Sequence, residues 1–193
     1  HPAFDTRPKP RKMQTVSTKP DSSEGTVKTT DDLKAAFAGE SQANRKYLAW
    51  AKQADREGHP GIARLFRAVA AAETVHAHGH LKTLGDIGAT EANLKAAMAG
   101  ENYEVVTMYP DFLEDARAEG HTAAERSFEW AWEVEKIHEK LYGAALETLQ
   151  KGADLPDQTY WVCGVCGHTH AGDAPPDRCP ICGSKATAYN RVD

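Results

Sequence analysis

Four stretches of this sequence repeat one unusual pattern, an apolar helical stripe with a carboxylate near its middle. The first runs Leu33, Phe37, Glu40, Asn44, Tyr47, Ala51, and the second Ile62, Phe66, Val69, Glu73, His76, His80, Leu84. The third runs Leu94, Met98, Glu101, Val105, Met108, Phe112, and the fourth Ala124, Phe128, Ala131, Glu135, His138, Tyr142, Ala145, Leu149. Steps of three and four put each set on one face of a helix. The scarcity of breakers between Thr30 and Gln150, and the abundance of Ala, Leu, Glu and Lys, favour helix throughout. Thr29 or Thr30 is expected to cap the first helix. Gly58-His59-Pro60-Gly61 separates the first helix from the second, Gly85 to Thr90 the second from the third, and Gly120 the third from the fourth. A lone Glu on a helix is ordinarily solvated, and an unpaired carboxylate among apolar side chains is costly. Its appearance on all four stripes calls for a common cause.

The two halves of this region are also copies of one another. Glu57-Gly58-His59 recurs as Glu119-Gly120-His121, Phe66 as Phe128, Glu73 as Glu135 and His76 as His138, all at one spacing. Gly39-Glu40 recurs as Gly100-Glu101 at a spacing one residue shorter. Each half thus supplies one helix with Gly-Glu and one with Glu-x-x-His, as expected for a pair of helical hairpins related by a pseudo-two-fold axis. Glu-x-x-His places both side chains one turn apart on one face, where they can share a metal site. Two such motifs, with one Glu from each remaining helix, form the ligand set of di-iron carboxylate bundles. Oxygen and imidazole donors suit iron or manganese, and the lack of thiolate argues against structural zinc here. Glu40, Glu73, Glu101 and Glu135 carry four negative charges, which two divalent ions would neutralise, a balance that suits burial. Glu104 follows Glu101 by one turn and is a fifth candidate carboxylate, against the plainer reading of an exposed helix Glu.

The cysteines are confined to the end of the chain. Cys163-Gly-Val-Cys166 is followed by Cys179-Pro-Ile-Cys182, with Gly167 and Gly183 directly after each pair. A glycine there lets backbone N–H groups turn toward the sulfurs. Two CxxC pairs without a secretion signal indicate a tetrahedral four-thiolate metal site rather than disulfides. The spacing also suits a zinc ribbon, so zinc remains possible, but fusion to a di-iron bundle favours a single iron that carries one electron at a time. So short a segment needs the metal to organise it, and Trp161 and Tyr189 are its expected apolar wall.

Composition adds exclusions. Of 193 residues, 26% are charged and 40% hydrophobic, ordinary for a globular chain, and a net charge of −5 gives no reason to expect nucleic acid. No apolar run approaches a membrane span. Residues 1–29, rich in Pro, Ser, Thr and Lys, read as a flexible tail without the apolar stretch of a secretory signal, and Met13 is a candidate natural start. The expected organisation is a tail over 1–29, a four-helix bundle over 30–152 and a four-cysteine domain over 153–193. His78, His121, His168 and His170 read as solvated or structural. His59 and His80 have no motif partner, although His80 falls on the second stripe.

Five segments resemble rubrerythrins: Ala-Phe-Ala-Gly-Glu-Ser-Gln-Ala (36–43), Ala-Glu-Thr-Val-His (72–76), Gly-Glu-Asn-Tyr-Glu (100–104), Met-Tyr-Pro (108–110) and Glu-Lys-Ile-His-Glu-Lys (135–140). The cysteine segment resembles the same family's rubredoxin-like domain. The resemblance covers about residues 30–193. It implies an all-α ferritin-like bundle with two irons, followed by a rubredoxin-like domain with one. It further implies that Glu73 and Glu135 bridge the irons, that Glu40 and Glu101 are terminal ligands and that His138 binds one iron. The other iron is expected to bind His76 when reduced and Glu104 when oxidised. Tyr47 and Tyr109 match family tyrosines near the site, against a plainer core-packing reading.

The implied activity is a cytoplasmic peroxidase that reduces hydrogen peroxide to water in oxidative-stress defence. Its electrons would come through the four-cysteine iron from an external donor, a rubredoxin or an NAD(P)H-dependent reductase. A homodimer is implied, with each four-cysteine iron often serving the neighbouring subunit. Iron oxidation and storage, or reduction of dioxygen, are the rival activities. A ferritin-like bundle also implies a long crossover between the second and third helices, for which the chain offers His80 to Asn93. The third helix is therefore expected to start later than its periodicity suggests, or a partner chain to contribute helices. Pro110 is expected to kink the third helix.

Overall fold

The computed structural model describes residues 22–192. The expected tail over residues 1–21, with Met13, lies outside the described residues. Helix α1 spans Ser22–Arg56, α2 Pro60–Leu84, α3 Thr90–Tyr103, α4 Tyr109–Ala118 and α5 Thr122–Gln150. Strands β1 (Tyr160–Cys163), β2 (Thr169–Ala171) and β3 (Tyr189–Val192) follow. The chain is thus a helical region followed by a small three-stranded domain. Thr29 and Thr30 lie within α1 rather than at its cap. Once a helix is nucleated, extending it by two turns costs little, and the sequence after Asp21 has no proline to stop it.

The described chain divides between Asp86 and Ile87 into two compact units. In the first, α1 and α2 form a hairpin whose turn places Gly58 at φ 83°. The most deeply buried residues of this hairpin are small: Ala51 and Ala54 on α1, and Ala63, Ala70 and Ala77 on α2. The three alanines of α2 recur every seventh residue, so they form one seam along the helix. Small side chains let the two backbones close together, and Asn44 Nδ2 donates across the seam to the Ala70 carbonyl at 2.7 Å and to Thr74 Oγ1 at 2.9 Å. The stripe bearing Glu73 flanks this seam instead of forming it, and Ile62 at its start is exposed.

The second unit holds α3, α4, α5 and the strands. The third expected helix is there as α3 and α4, joined by one turn of π-helix over Glu104–Met108. Pro110 sits just beyond it, in the first turn of α4, and the irregularity there is a π turn. Proline cannot donate to the carbonyl four residues back and its ring clashes with it, so a wider turn relieves both problems. The internal repeat explains the extra residue. Glu40 and Glu101 match at the shorter spacing, whereas Tyr47 and Tyr109 match at the longer one. The inserted residue therefore falls between Glu101 and Tyr109, where the π turn is. Trp132 on α5 donates its indole N–H to the Val105 carbonyl at 2.7 Å, satisfying an acceptor in the irregular turn.

Both hairpins keep equivalent aromatic clusters. Tyr47, Trp50 and Phe66 lie with ring centroids 5.5–6.2 Å apart, and Tyr109, Phe112 and Phe128 with centroids 5.5–6.4 Å apart. The expected late start of the third helix does not occur. α2 continues to Leu84, Gly85–Ala89 is the whole connection, and α3 begins at Thr90. Two local devices fix these ends. Gly85 terminates α2 with φ 80°, and Asn93 bridges both backbone groups of Gly88 at 2.8 and 2.9 Å.

The strands form one antiparallel sheet in the order β2-β1-β3. Trp161 pairs with His170 on one side and with Arg191 on the other. The core of this domain is Cys163, Cys179 and Tyr189, with Trp161, Ile181 and Ala188 packed against it, so the apolar wall is where the sequence placed it. Replacing Trp132 by Phe is expected to lower stability by about 1–2 kcal/mol, because the Val105 carbonyl loses its partner. Urea denaturation of the two proteins measures it.

Candidate metal centres

Among the described residues three clusters bring candidate ligand atoms together, and all three come from the residues singled out by pattern. Glu40, Glu73 and His76 converge in the first unit, and Glu101, Glu135 and His138 in the second. The four cysteines make the third. Within each cluster the candidate ligand atoms lie within 4.8 Å of one another, close enough to share an ion.

The two carboxylate clusters are built alike. α1 and α3 each contribute the Glu that follows a glycine, and α2 and α5 contribute Glu-x-x-His. The His76 Nδ1 is 2.9 Å from Glu73 Oε2, and the His138 Nδ1 is 2.5 Å from Glu135 Oε2. The Glu side chains are 14% and 17% exposed, so both are largely withdrawn from water. The histidines differ: the side chain of His76 is 56% exposed and that of His138 only 26%. His138 is also engaged at its second nitrogen, with Nε2 2.9 Å from Thr169 Oγ1 of β2. Nothing in the helical pattern pointed to Thr169.

Electrostatics in the second unit shows a site that wants positive charge. Burial, the neighbouring charge of Glu135 and a hydrogen bond to it push the Glu101 carboxyl up to about 7. Burial and Glu135 also raise Glu104. The hydrogen bond to Glu135 raises His138 against the opposing effect of burial. Burial first, then the charges of Glu104, Glu135 and Glu101, raise the Tyr109 phenol. Glu104 is therefore half-buried within electrostatic reach of Glu101, Glu135 and His138, although it stands outside the converging triad. Tyr109 combines packing with proximity to these carboxylates, whereas Tyr47 packs in its aromatic cluster.

The cysteine cluster has the shape of a tetrahedral site. Cys163 Sγ lies 3.8 Å from Cys182 Sγ, and Cys166 Sγ lies 3.4 Å from Cys179 Sγ. Metal–sulfur bonds of about 2.3 Å in a tetrahedron separate sulfurs by about 3.8 Å, so the cage fits one iron or zinc ion. All four cysteines are free of disulfides. Each CxxC forms the same knuckle: the Gly167 N–H donates to the Cys163 carbonyl and the Gly183 N–H to that of Cys179, both at 2.9 Å. Both glycines take positive φ, 85° and 73°, which a side chain would strain. Burial pushes the Cys179 thiol up, but N–H groups of Cys182 and Ile181 and the Tyr189 hydroxyl outweigh it and bring it down to about 6. His168 is buried and structural, its Nδ1 2.6 Å from the Tyr189 hydroxyl.

Residues 31–146 match the family model for rubrerythrin, and residues 161–190 that for the rubrerythrin rubredoxin-like domain. The chain belongs to the rubrerythrin family. It is 38% identical to rubrerythrin-2 of Clostridium acetobutylicum, across 83% of this chain and 95% of that protein. It is 35% identical to nigerythrin of Nitratidesulfovibrio vulgaris, across 84% and 85%. Among solved structures, a partially reduced nigerythrin superposes with a TM-score of 0.51 at 33% identity, across 85% of this chain and 86% of that one. Rubrerythrins are oxidoreductases with a di-iron site in the helical bundle and a four-cysteine iron site. This chain carries carboxylate and imidazole clusters suited to the first and a thiolate cage suited to the second. No helix among the described residues is long and apolar enough to cross a membrane.

The raised Glu101 fixes the sign of a pH effect. Its folded value of about 7 exceeds its ordinary 4.5, so the metal-free fold holds an extra proton between these limits. The stability of the metal-free protein should fall as pH rises from 4.5 to about 7. Ferrous loading near pH 6 should release protons, because a ligating carboxylate is ionised. Calorimetry in buffers of different ionisation enthalpy counts those protons, and zero release would remove Glu101 from the ligands.

Proposed function

We propose that the protein is a peroxidase that reduces hydrogen peroxide to water, with electrons relayed through the four-cysteine iron. Breaking the O–O bond takes two electrons and two protons and yields two waters. We further propose Glu40, Glu73, His76, Glu101, Glu104, Glu135 and His138 as the di-iron ligands, with Glu73 and Glu135 bridging. The observation that carries this reading is the joint presence of the carboxylate–imidazole clusters, Glu104 beside one of them, and a thiolate cage in the same chain. A ferroxidase alone has no use for the cage.

Bound ferrous iron supplies the electrons and polarises the peroxide oxygens. The residues supply the rest. The carboxylates hold the ions in place and balance their charge. Burial and the charge of Glu135 raise both Glu101 and Glu104, which favours charge-neutralising ions beside them. Tyr109 keeps its phenol proton next to them. His76, the more exposed histidine, would be the ligand that exchanges, and the half-buried Glu104 would be its carboxylate counterpart. Electrons reach the four-cysteine iron from an external donor, a rubredoxin or an NAD(P)H-dependent reductase, in the cytoplasm. A homodimer belongs to this reading, since Trp50, Ile62, Leu65 and Val75 are large apolar residues that the single chain leaves exposed.

Anaerobic stopped-flow mixing of the fully reduced protein with peroxide, and separately with dioxygen, tests the proposal. Rapid return of the red ferric-thiolate absorption with peroxide and slow return with dioxygen is the expected result. Faster return with dioxygen would assign the protein to dioxygen reduction. Glu104→Ala should slow peroxide turnover on the order of tenfold or more, while leaving the thiolate-iron spectrum intact. Unchanged turnover would take Glu104 out of the mechanism.

A further inference from the structure

The π turn over Glu104–Met108 begins at a proposed ligand, and its hydrogen bonding can be followed residue by residue. The Tyr109 N–H donates to the Glu104 carbonyl, five residues back. The next carbonyl in that register belongs to Val105, and its donor would be the N–H of residue 110. Residue 110 is proline, which has none. The register that carries Glu104 therefore leaves the Val105 carbonyl without a main-chain donor at its own step.

Trp132 supplies that donor. Its indole N–H reaches the Val105 carbonyl at 2.7 Å, and an indole nitrogen can only donate. Both groups are partly buried, where an unmet carbonyl is costly. Lys136 Nζ sits 3.3 Å from the indole ring centroid and is tied to Glu133 Oε1 at 2.6 Å, which helps to hold the ring. The first half of the repeat is the control. At the longer repeat spacing Pro110 corresponds to Leu48 and Trp132 to Ala70. There α1 runs unbroken through Leu48, which keeps its N–H, and the buried Ala70 has no polar side-chain group to give. Proline, π turn and tryptophan thus occur together in the second half, and the first half has none of them at the matching positions.

The consequence falls on Glu104. Downstream the helix is anchored by buried Leu113 and Ala116. With that end fixed, an extra residue displaced past Glu104 toward the N-terminus turns this side chain by roughly 100° about the helix axis. Glu104 lies within electrostatic reach of Glu135 and His138, a position that such a rotation forfeits. We propose that Trp132 is a positioning residue: by donating to the Val105 carbonyl in place of the missing Pro110 N–H, it pins the register of the π turn and so aims Glu104 at the cluster of Glu101, Glu135 and His138. Its action runs through the main chain. The use of the aimed carboxylate in peroxide reduction rests on the proposed function, whereas the clamp itself does not.

Two variants isolate the bond. Trp132→Phe keeps an aromatic ring and removes the N–H. Pro110→Ala returns a main-chain N–H to the step where Val105 lacks one. Hydrogen–deuterium exchange of the metal-loaded protein, read by mass spectrometry over residues 101–112, follows the turn without turnover. Trp132→Phe should speed exchange there on the order of tenfold, and Pro110→Ala in the same chain should reverse most of that increase. A tryptophan that only fills space predicts no such rescue. In peroxide turnover Trp132→Phe should slow the reaction on the order of fivefold, and added to Glu104→Ala it should cause no further loss. Unaltered exchange in Trp132→Phe, no rescue by Pro110→Ala, or a multiplied loss in the Glu104→Ala background would overturn the proposal. If the unmodified protein fails to react with peroxide, the peroxidase reading falls, and the exchange comparison alone then decides whether Trp132 clamps the turn.

Discussion

Withdrawing a carboxylate from water is costly unless a cation takes the place of the lost hydration. Glu73 and Glu135 are each less than a fifth exposed on helices whose neighbouring faces are apolar. In the second unit the strain is visible as carboxyls that hold their protons to unusually high pH. The fold therefore contains a charge deficit that divalent iron corrects. The residues whose burial is costly without a cation are the candidate metal ligands themselves, which ties stability and function to one set of side chains.

Building such a site requires the helices to be spaced by something other than the ligands. In the first hairpin that spacing comes from an alanine seam, closed by Asn44 on the Ala70 carbonyl. In the second it involves a π turn that absorbs one extra residue directly after Glu101, with Trp132 satisfying a carbonyl the turn disturbs. A sequence repeat with one extra residue in its second copy gives two similar but unequal halves. The inequality extends to the histidines, one fixed against the cysteine domain and one left exposed.

The rubredoxin-like domain solves a different problem. It is too small to be organised by an apolar core, and its most buried residues include two of its metal ligands, Cys163 and Cys179. Two CxxC knuckles with matching backbone bonds hold the thiolates, while Tyr189 and His168 close the interior. Small domains organised in this way ordinarily gain their folding free energy from the bound metal.

Much of this was legible without coordinates. Helical periodicity and Glu-x-x-His spacing are local properties, so they located the helical segments, the candidate ligands that come together on them and, through CxxC spacing, the four-thiolate cage. The start of α1, the short Gly85–Ala89 connection and the burial of His168 were not legible, because each depends on how far a helix propagates or on what packs beside it. Pro110 announced a distortion but not its kind. The pairing of Thr169 with His138 joins residues far apart in the chain and leaves no periodic trace. Sequence by itself determined which side chains can hold metal, since ligand type and spacing along a helix are written in it. Only the tertiary structure decided which histidine is held and which is free, since that depends on what another domain places against it.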